Sequence, residues 1–184
     1  MTVEAILRAG AHILARDGYH GASTNRIAEL AGVSIGSLYQ YFPNKDALIM
    51  AIAEEHSRAM VALLVEAAGH RGKSLADAVH FFVRGMIRAH ALDPGVHRAL
   101  VQQVLHLGVD AYRNQQAAAR AIVERLLTDE QEHLQVKNPE MMAFVLVSAV
   151  EGAIHAAVFE QPALLQDPAL EEEISARVLR YLGV

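Results

Sequence analysis

The chain has 184 residues, of which 53% are hydrophobic and 20% are charged, with a formal net charge of −5 and no cysteine. This composition is typical of a globular protein, and the lack of cysteine excludes disulfides, thiol catalysis and zinc-thiolate sites. Residues 1–46 carry four basic and four acidic side chains. The negative charge therefore lies in residues 47–184, and the N-terminal segment would attract nucleic acid only weakly at long range.

Hydrophobic periodicity predicts an all-α fold of about nine helices. Apolar residues recur at helical spacing along almost the whole chain, and no segment has the alternation expected of a strand. In chain order, the predicted helices run to Gly18, from Ser23 to about Ala31, from Ser34 to about Phe42, from Lys45 to about Ala68, from Ser74 to Leu92, then to Gly108, from about Asp110 to about His133, from Pro139 to Phe159, and, after a linker at 161–168, to the C-terminus.

Local side chains predict how these helices begin and end. Gly18 is predicted to take the left-handed cap conformation, and Gly32 the positive φ of a tight turn. Ser74 with Asp77 resembles a capping box. The predicted N-caps are Ser23, Ser34, Asn44, Ser74 and Asn138.

Residues 27–48 have the order of a helix, a glycine-containing turn and a second short helix, which is the helix-turn-helix pattern. Ser34 would expose backbone N–H groups at a helix N-terminus, a favourable phosphate site. Gly36, without a side chain, would let the helix backbone approach a groove wall. Side chains left to meet base edges are Ile35, Ser37 and Gln40, and those suited to phosphate oxygens are Tyr39, Tyr41 and Lys45.

The segment from Ile6 to Leu48 resembles the DNA-binding domain of TetR-type transcriptional regulators. The matching residues are the apolar pattern of Ile6–Gly18 and the run GASTNRIAELAGVSIGSLYQYFPNKDAL at 21–48. The resemblance implies a three-helix DNA-binding domain at 1–46 and a helical ligand-binding and dimerisation domain at 47–184. It implies phosphate contacts from Ser23, Thr24, Tyr39, Tyr41 and Lys45, and base-edge contacts from Ile35, Gly36, Ser37 and Gln40, with Arg26 as a further candidate.

The helices between Ser74 and His133 combine aromatic, sulfur and polar side chains, as in a small-molecule cavity with a few orienting polar groups. A plain hydrophobic core is the alternative interpretation of the same pattern. The candidate ligand-binding residues are Phe82, Met86, His90, Gln103, His106 and Tyr112.

The segment from Val145 to Phe159 is apolar on nearly every face, so it is predicted to be buried on two sides. Glu151 lies in this segment and is expected either to anchor a ligand or to lie at a bundle rim, because a buried carboxylate needs a partner. A homodimer interface is predicted here, with a monomeric core as the alternative. The candidate interface residues are Ala149, Gly152, Ala153 and Ala156, with Ile174 and Val178 on the final helix.

The ten histidines do not indicate a metal site on one helix face, because no two are three or four residues apart. A site assembled from distant helices is the alternative to solvated or core histidines. No local signature of a catalytic triad, a phosphate-binding loop or a zinc protease occurs. We therefore predict a ligand-responsive regulator, most simply a repressor that a small molecule of unknown identity releases from a palindromic operator in double-stranded DNA. It is expected to be cytoplasmic, with no membrane segment, catalytic residue, metal or cofactor. The alternative is a helical ligand-binding or enzymatic domain with a degenerate DNA-binding module.

Overall fold

The computed structural model describes residues 2–69, 74–107, 110–134 and 136–184, without the side chains of 103–107, 110–112 and 131–132. These residues form ten α-helices and one 3₁₀ helix, with no strand among them. The helices are α1 (Thr2–Gly21), α2 (Thr24–Ala31), α3 (Ile35–Tyr41), α4 (Lys45–Gly69), α5 (Leu75–Ala91), α6 (Pro94–Leu107), α7 (Asp110–Asp129), α8 (Gln131–Leu134), α9 (Pro139–Glu160), the 3₁₀ helix (Pro162–Gln166) and α10 (Pro168–Leu182). The predicted all-α fold is confirmed.

The chain forms two compact units. Unit 1 comprises Met1–Arg58 and Asp93–Arg113, and unit 2 comprises Ala59–Leu92 and Asn114–Val184. In unit 1, α1 packs against α2 and α6, and in unit 2, α5 packs against α9 and α10. Each unit has its own apolar core. The domain boundary predicted after residue 46 follows the sequence motif and stays a prediction.

The turn between α2 and α3 is built as predicted. Gly32 ends α2 with φ 70° and ψ 30°, the left-handed conformation. Its N–H donates to the carbonyl of Glu29 at 3.1 Å, and the N–H of Val33 donates to that of Ala28 at 3.0 Å. These two bonds form a Schellman cap, which satisfies carbonyl groups that the helix end would otherwise leave unpaired.

Two details at the start of the chain differ from the predictions. Gly18 has the expected positive φ of 68°, but its ψ of −178° is not that of a left-handed helix. The helix therefore kinks at Gly18 and continues for a further turn to Gly21. Ser23 has the extended backbone of an N-cap, but its side chain makes no capping hydrogen bond.

The caps of unit 2 follow the local rules. Ser74 and Asp77 form the complete capping box at the start of α5, with reciprocal bonds of 3.1 Å. Asn138 Oδ1 accepts a bond of 2.9 Å from the N–H of Met141. The predicted linker at 161–168 instead contains the 3₁₀ helix, because Leu165 is drawn into the core of unit 2.

Helix α9 is the most apolar element described. By length and composition alone it is long enough to cross a membrane, with a mean hydropathy of 1.9 over its most apolar 18 residues. The sequence predicts no membrane segment. One face of α9, including Val147, Ile154 and Val158, is buried in the core of unit 2. A core helix of a soluble protein accounts for the same composition.

Candidate nucleic-acid interface and interior cavity

Helix α3 begins with a cap made by its own serines. The N–H of Ser37 donates to Ser34 Oγ at 3.0 Å, and the two hydroxyl oxygens lie 2.9 Å apart. Only Leu38 of α3 is buried, with Phe42 just beyond its end, and both belong to the core of unit 1. These two contacts fix the rotation of the helix, so its remaining side chains are directed outward.

The outward face of α3 contains the predicted base-reading and phosphate-binding residues. Ile35, Tyr39 and Tyr41 are 37%, 47% and 50% exposed, so all three side chains are available to a partner. Gln40 is exposed on the same short helix. A Cβ added to Gly36 would meet only Ser34 Oγ, at 3.8 Å. Packing within the described chain therefore does not require glycine at this position.

The start of α2 is joined to α3 by a hydrogen bond between two predicted phosphate ligands. Thr24 Oγ1 and the Tyr39 hydroxyl lie 3.1 Å apart. Ser23, immediately before Thr24, is partly exposed. The structure thus brings the predicted residues of the α2 N-terminus and of α3 together.

Lys45 opens α4 and makes contacts that sequence reasoning missed. Its Nζ donates to the carbonyl of Tyr19 at 2.8 Å and lies 4.0 Å from the centroid of the tyrosine ring. The Tyr19 hydroxyl donates to Asp46, and this hydrogen bond raises the pKa of Tyr19. Lys45 is therefore held in position by Tyr19, which lies near the end of α1. No local sequence signal pairs residues 26 positions apart.

Arg26 is partly neutralised. Its Nη2 lies 2.8 Å from Asp17 Oδ2, and Arg16 Nε lies 2.9 Å from Asp17 Oδ1. The hydrogen bond from Arg16, and the charges of both arginines, lower the pKa of Asp17. The candidate interface therefore offers hydroxyl groups, amide groups and one oriented lysine rather than a dense basic patch.

Unit 2 contains an apolar cavity between α5, α7, α9 and α10. Thirteen described residues line it, and all of them are apolar. The cavity volume is about 40 Å³, which is room for about three water-sized groups. Of the predicted ligand-binding residues, Phe82 lines this cavity.

The remaining predicted ligand-binding residues are placed differently. Met86 and His90 are fully buried on α5, and His90 Nδ1–H donates to the Met86 carbonyl at 2.8 Å. The ring of His155 on α9 lies edge-on to His90, with 5.1 Å between ring centroids. The side chains of Gln103, His106 and Tyr112 lie outside the described residues.

A buried polar group lies between α7 and α9. Glu151 is 4% exposed, and it accepts a hydrogen bond from the amide of Gln116. Gln116 Oε1 lies 3.4 Å from Arg120 Nη2, and the Arg120 guanidinium lies 4.7 Å from the centroid of the Phe144 ring. Burial raises the pKa of Glu151, although the bond from Gln116 and the charge of Arg120 oppose this. We call Glu151, Gln116 and Arg120 the Glu151 cluster.

The predicted interface residues divide into two groups. Ala149, Gly152, Ala153 and Ala156 are exposed along one side of α9. A Cβ on Gly152 would meet no described atom within 4 Å. Ile174 and Val178 instead face inward, since Ile174 is buried in the core and Val178 lines the cavity.

Family models match two segments of the chain. The model for bacterial regulatory proteins of the tetR family matches residues 6–52. The model for the tetracyclin repressor-like C-terminal domain matches residues 74–182, which is more than half of the chain.

Individual relatives agree with these matches. The HTH-type transcriptional regulator RutR from Escherichia coli K12 is 44% identical over 52 residues, which are 28% of this chain and 24% of RutR. The chain thus spans about a quarter of the length of that curated relative.

Solved structures resemble the chain over almost its full length. A transcriptional regulator from Rhodococcus sp. Rha1 has a TM-score of 0.81 at 22% identity, covering 98% of this chain and 97% of that one. The regulator FadR from Bacillus subtilis, in complex with stearoyl-CoA, has a TM-score of 0.71 at 21% identity, covering 97% and 96%. At these identities the structures establish a shared fold.

Proposed function

Because the chain belongs to the tetR family of bacterial regulatory proteins, we propose that it represses transcription by binding a palindromic operator in double-stranded DNA as a homodimer. A small-molecule effector bound in unit 2 releases the repressor. The protein acts in the cytoplasm, catalyses no reaction and needs no cofactor.

The observation that carries this proposal is the exposed face of α3. The major groove of DNA is about 12 Å wide and admits an α-helix such as α3. Gln40 is suited to read adenine, while Ile35 is suited to contact a thymine methyl group. The hydrogen-bonded hydroxyls of Thr24 and Tyr39, together with Lys45, would contact the DNA phosphates on either side of this groove.

A homodimer would place two copies of α3 in successive major grooves. In helix-turn-helix dimers the half-sites lie about 34–36 Å apart, so the two-fold symmetry of the protein is matched by a palindromic site. The exposed ridge of Ala149, Gly152, Ala153 and Ala156 supports this assembly, since small residues allow two helices to approach closely.

Effector control requires an element shared by both units, and α4 has this property. It contributes Leu48 and Ile49 to the core of unit 1 and Leu64 to the core of unit 2. An effector that favours one conformation of unit 2 would shift α4 and with it the end of the DNA-binding segment, where α3 leads into α4. The shift in the equilibrium is limited by the difference in effector affinity between the two conformations.

Selection of bound sequences from random duplex DNA tests the proposal with the full chain. We expect a palindromic consensus with half-sites one helical turn apart, and affinity that falls as salt concentration rises. Gln40→Ala should reduce affinity by about 1–3 kcal/mol at one base pair per half-site. Failure to enrich any sequence at low salt would contradict the proposal.

A further inference from the structure

The Glu151 cluster adjoins the apolar cavity of unit 2. Glu151 lies four residues after Val147, and Arg120 lies three residues before Val123, and both valines line the cavity. Residues three or four apart on a helix are neighbours, with about 5–6 Å between their Cβ atoms. The acidic and basic members of the cluster therefore both lie one helical turn from the cavity wall.

Two atoms of this cluster are enclosed without a hydrogen-bond partner. Within the described ranges, no group donates to Glu151 Oε1, and Arg120 Nε finds no acceptor. Gln116 lies between them, because it donates to Glu151 and faces Arg120 with its carbonyl oxygen. Glu151 Oε1 can accept a hydrogen bond and Arg120 Nε can donate one, and a hydroxyl group suits either atom because it both donates and accepts.

The charges of the cluster determine which head group fits. A carboxylate would place a second negative charge beside Glu151, and an ammonium group would place a second positive charge beside Arg120. The two protein charges balance each other, so an ionic head group would be a buried charge with no counter-charge left to pair it, and an uncharged head group avoids that cost. The apolar lining of the cavity selects an aliphatic body.

We propose that unit 2 binds an uncharged aliphatic alcohol, with its chain in the apolar cavity and its hydroxyl donating a hydrogen bond to Glu151 Oε1. This inference rests on the proposed function, because it assigns the chemical class of the effector. An aliphatic chain of this kind is larger than the cavity of about 40 Å³, so its binding requires the lining side chains to move apart.

Isothermal titration of the full chain with two isomeric probes tests the head-group assignment. The probes are 1-octanol and heptyl methyl ether, which contain the same atoms, but the ether has no donor. We expect 1-octanol to bind at least about tenfold more tightly, the effect of one hydrogen bond to a charged acceptor. The ether is the more hydrophobic isomer, so simple partitioning into the cavity predicts the opposite order.

Glu151→Gln tests the residue itself, with Glu160→Gln as the matched control on the exposed end of α9. If Gln116 keeps its bond to the new carbonyl oxygen, an amide N–H takes the place of Oε1. Both probes can then accept from it, so the preference for 1-octanol should fall to about one. The control should keep the preference.

Three results would overturn the inference. The unmodified chain could bind the two probes equally or bind neither of them. Glu151→Gln could keep both the affinity for 1-octanol and the preference for it over the ether. If Glu151→Gln does not fold, the ratio for the unmodified chain still decides. Operator binding is measured separately without any probe. An intact operator complex with no alcohol binding would remove this inference and leave the proposed function standing.

Discussion

The Tyr39 hydroxyl lies 3.1 Å from Thr24 Oγ1, so one hydrogen bond connects the first residue of α2 to the middle of α3 at an exposed surface. Because the two hydroxyls are adjacent, together they are suited to bind one phosphate group. A bond between exposed side chains contributes little to stability, because water replaces it readily.

We therefore expect Tyr39→Phe to change the free energy of unfolding by less than about 0.5 kcal/mol. Its affinity for operator and for unrelated duplex should fall by a similar factor, because phosphate contacts carry no sequence information. Fluorescence anisotropy with both duplexes measures this. A new base preference in the selected sequences would instead assign Tyr39 to base reading.

Lys45 contacts Tyr19 in the structure and is proposed to contact a phosphate, and the two roles can be tested apart. Lys45→Met keeps most of the aliphatic stem but removes the bond to the Tyr19 carbonyl and the charge. We expect lower thermal stability and a plot of log affinity against log salt that is flatter by about 0.9. Tyr19→Phe removes only the bond to Asp46, and it should leave the salt slope unchanged. An unaltered slope in Lys45→Met would show that Lys45 is structural only.

Local rules predicted the parts of this fold that depend on near neighbours in sequence. The caps at Ser34, Ser74 and Asn138 were predicted because donor and acceptor lie within three residues of each other. The turn at Gly32 followed from its required positive φ. Ser23 makes no capping hydrogen bond through its side chain, because the extended backbone of an N-cap permits that bond without requiring it.

Contacts between distant residues could not be predicted in this way. Nothing in the sequence pairs Gln116 with Glu151, 35 residues later. From the sequence alone, Glu151 fits both a ligand anchor and a residue at the bundle rim, and its burial is a property of the folded chain. On α9 nearly every position is apolar, so periodicity does not identify the buried face. Ile174 and Val178 are predicted at an interface because apolar residues at helical spacing suit either the core of one chain or a contact with a second copy.

Gly36 distinguishes a requirement of the fold from a requirement of a partner. A Cβ there has room within the described chain, so Gly36→Ala should keep or raise stability by up to about 1 kcal/mol, as alanine favours a helix over glycine. Operator affinity should nevertheless fall, because the added methyl group would separate α3 from the groove. Thermal melting and anisotropy on the same sample measure both. Unchanged operator affinity would refute a close backbone approach.

His56 and His97 form a partly buried pair in unit 1, with 3.1 Å between Nε2 of His56 and Nδ1 of His97. Burial lowers the pKa of His56, although Asp93 opposes the shift. The folded state then binds fewer protons than the unfolded state as pH falls through about 6.5. The contribution of His56 to the free energy of unfolding is therefore present above this pH and is lost as the pH falls below it.

We expect the free energy of unfolding to fall from pH 7 to pH 5, with His56 contributing at most about 1.4 kcal/mol per pH unit. His56→Gln should make this dependence shallower, whereas His12→Gln, at an exposed position on α1, should not. Urea unfolding across this pH range measures the difference. A steeper dependence in His56→Gln would reverse the assigned sign.

Gly152 tests the homodimer. In the described chain a Cβ at this position meets no atom within 4 Å and the position is exposed, so Gly152→Leu should fold normally and keep its helical circular dichroism. If the ridge of Ala149, Gly152, Ala153 and Ala156 packs against a second copy, leucine overpacks the contact by about 1–3 kcal/mol. Sedimentation should then show a shift toward monomer.

The shift toward monomer has a consequence for DNA binding that distinguishes this interface from an unrelated surface. A monomer holds one half-site, so Gly152→Leu should lose operator affinity while binding a single half-site as the unmodified chain does. Ala121→Leu places the same side chain on an exposed position of α7 and should remain dimeric. A dimeric Gly152→Leu with full operator affinity would exclude this ridge, and the two-fold axis would then have to pass through another surface of the chain.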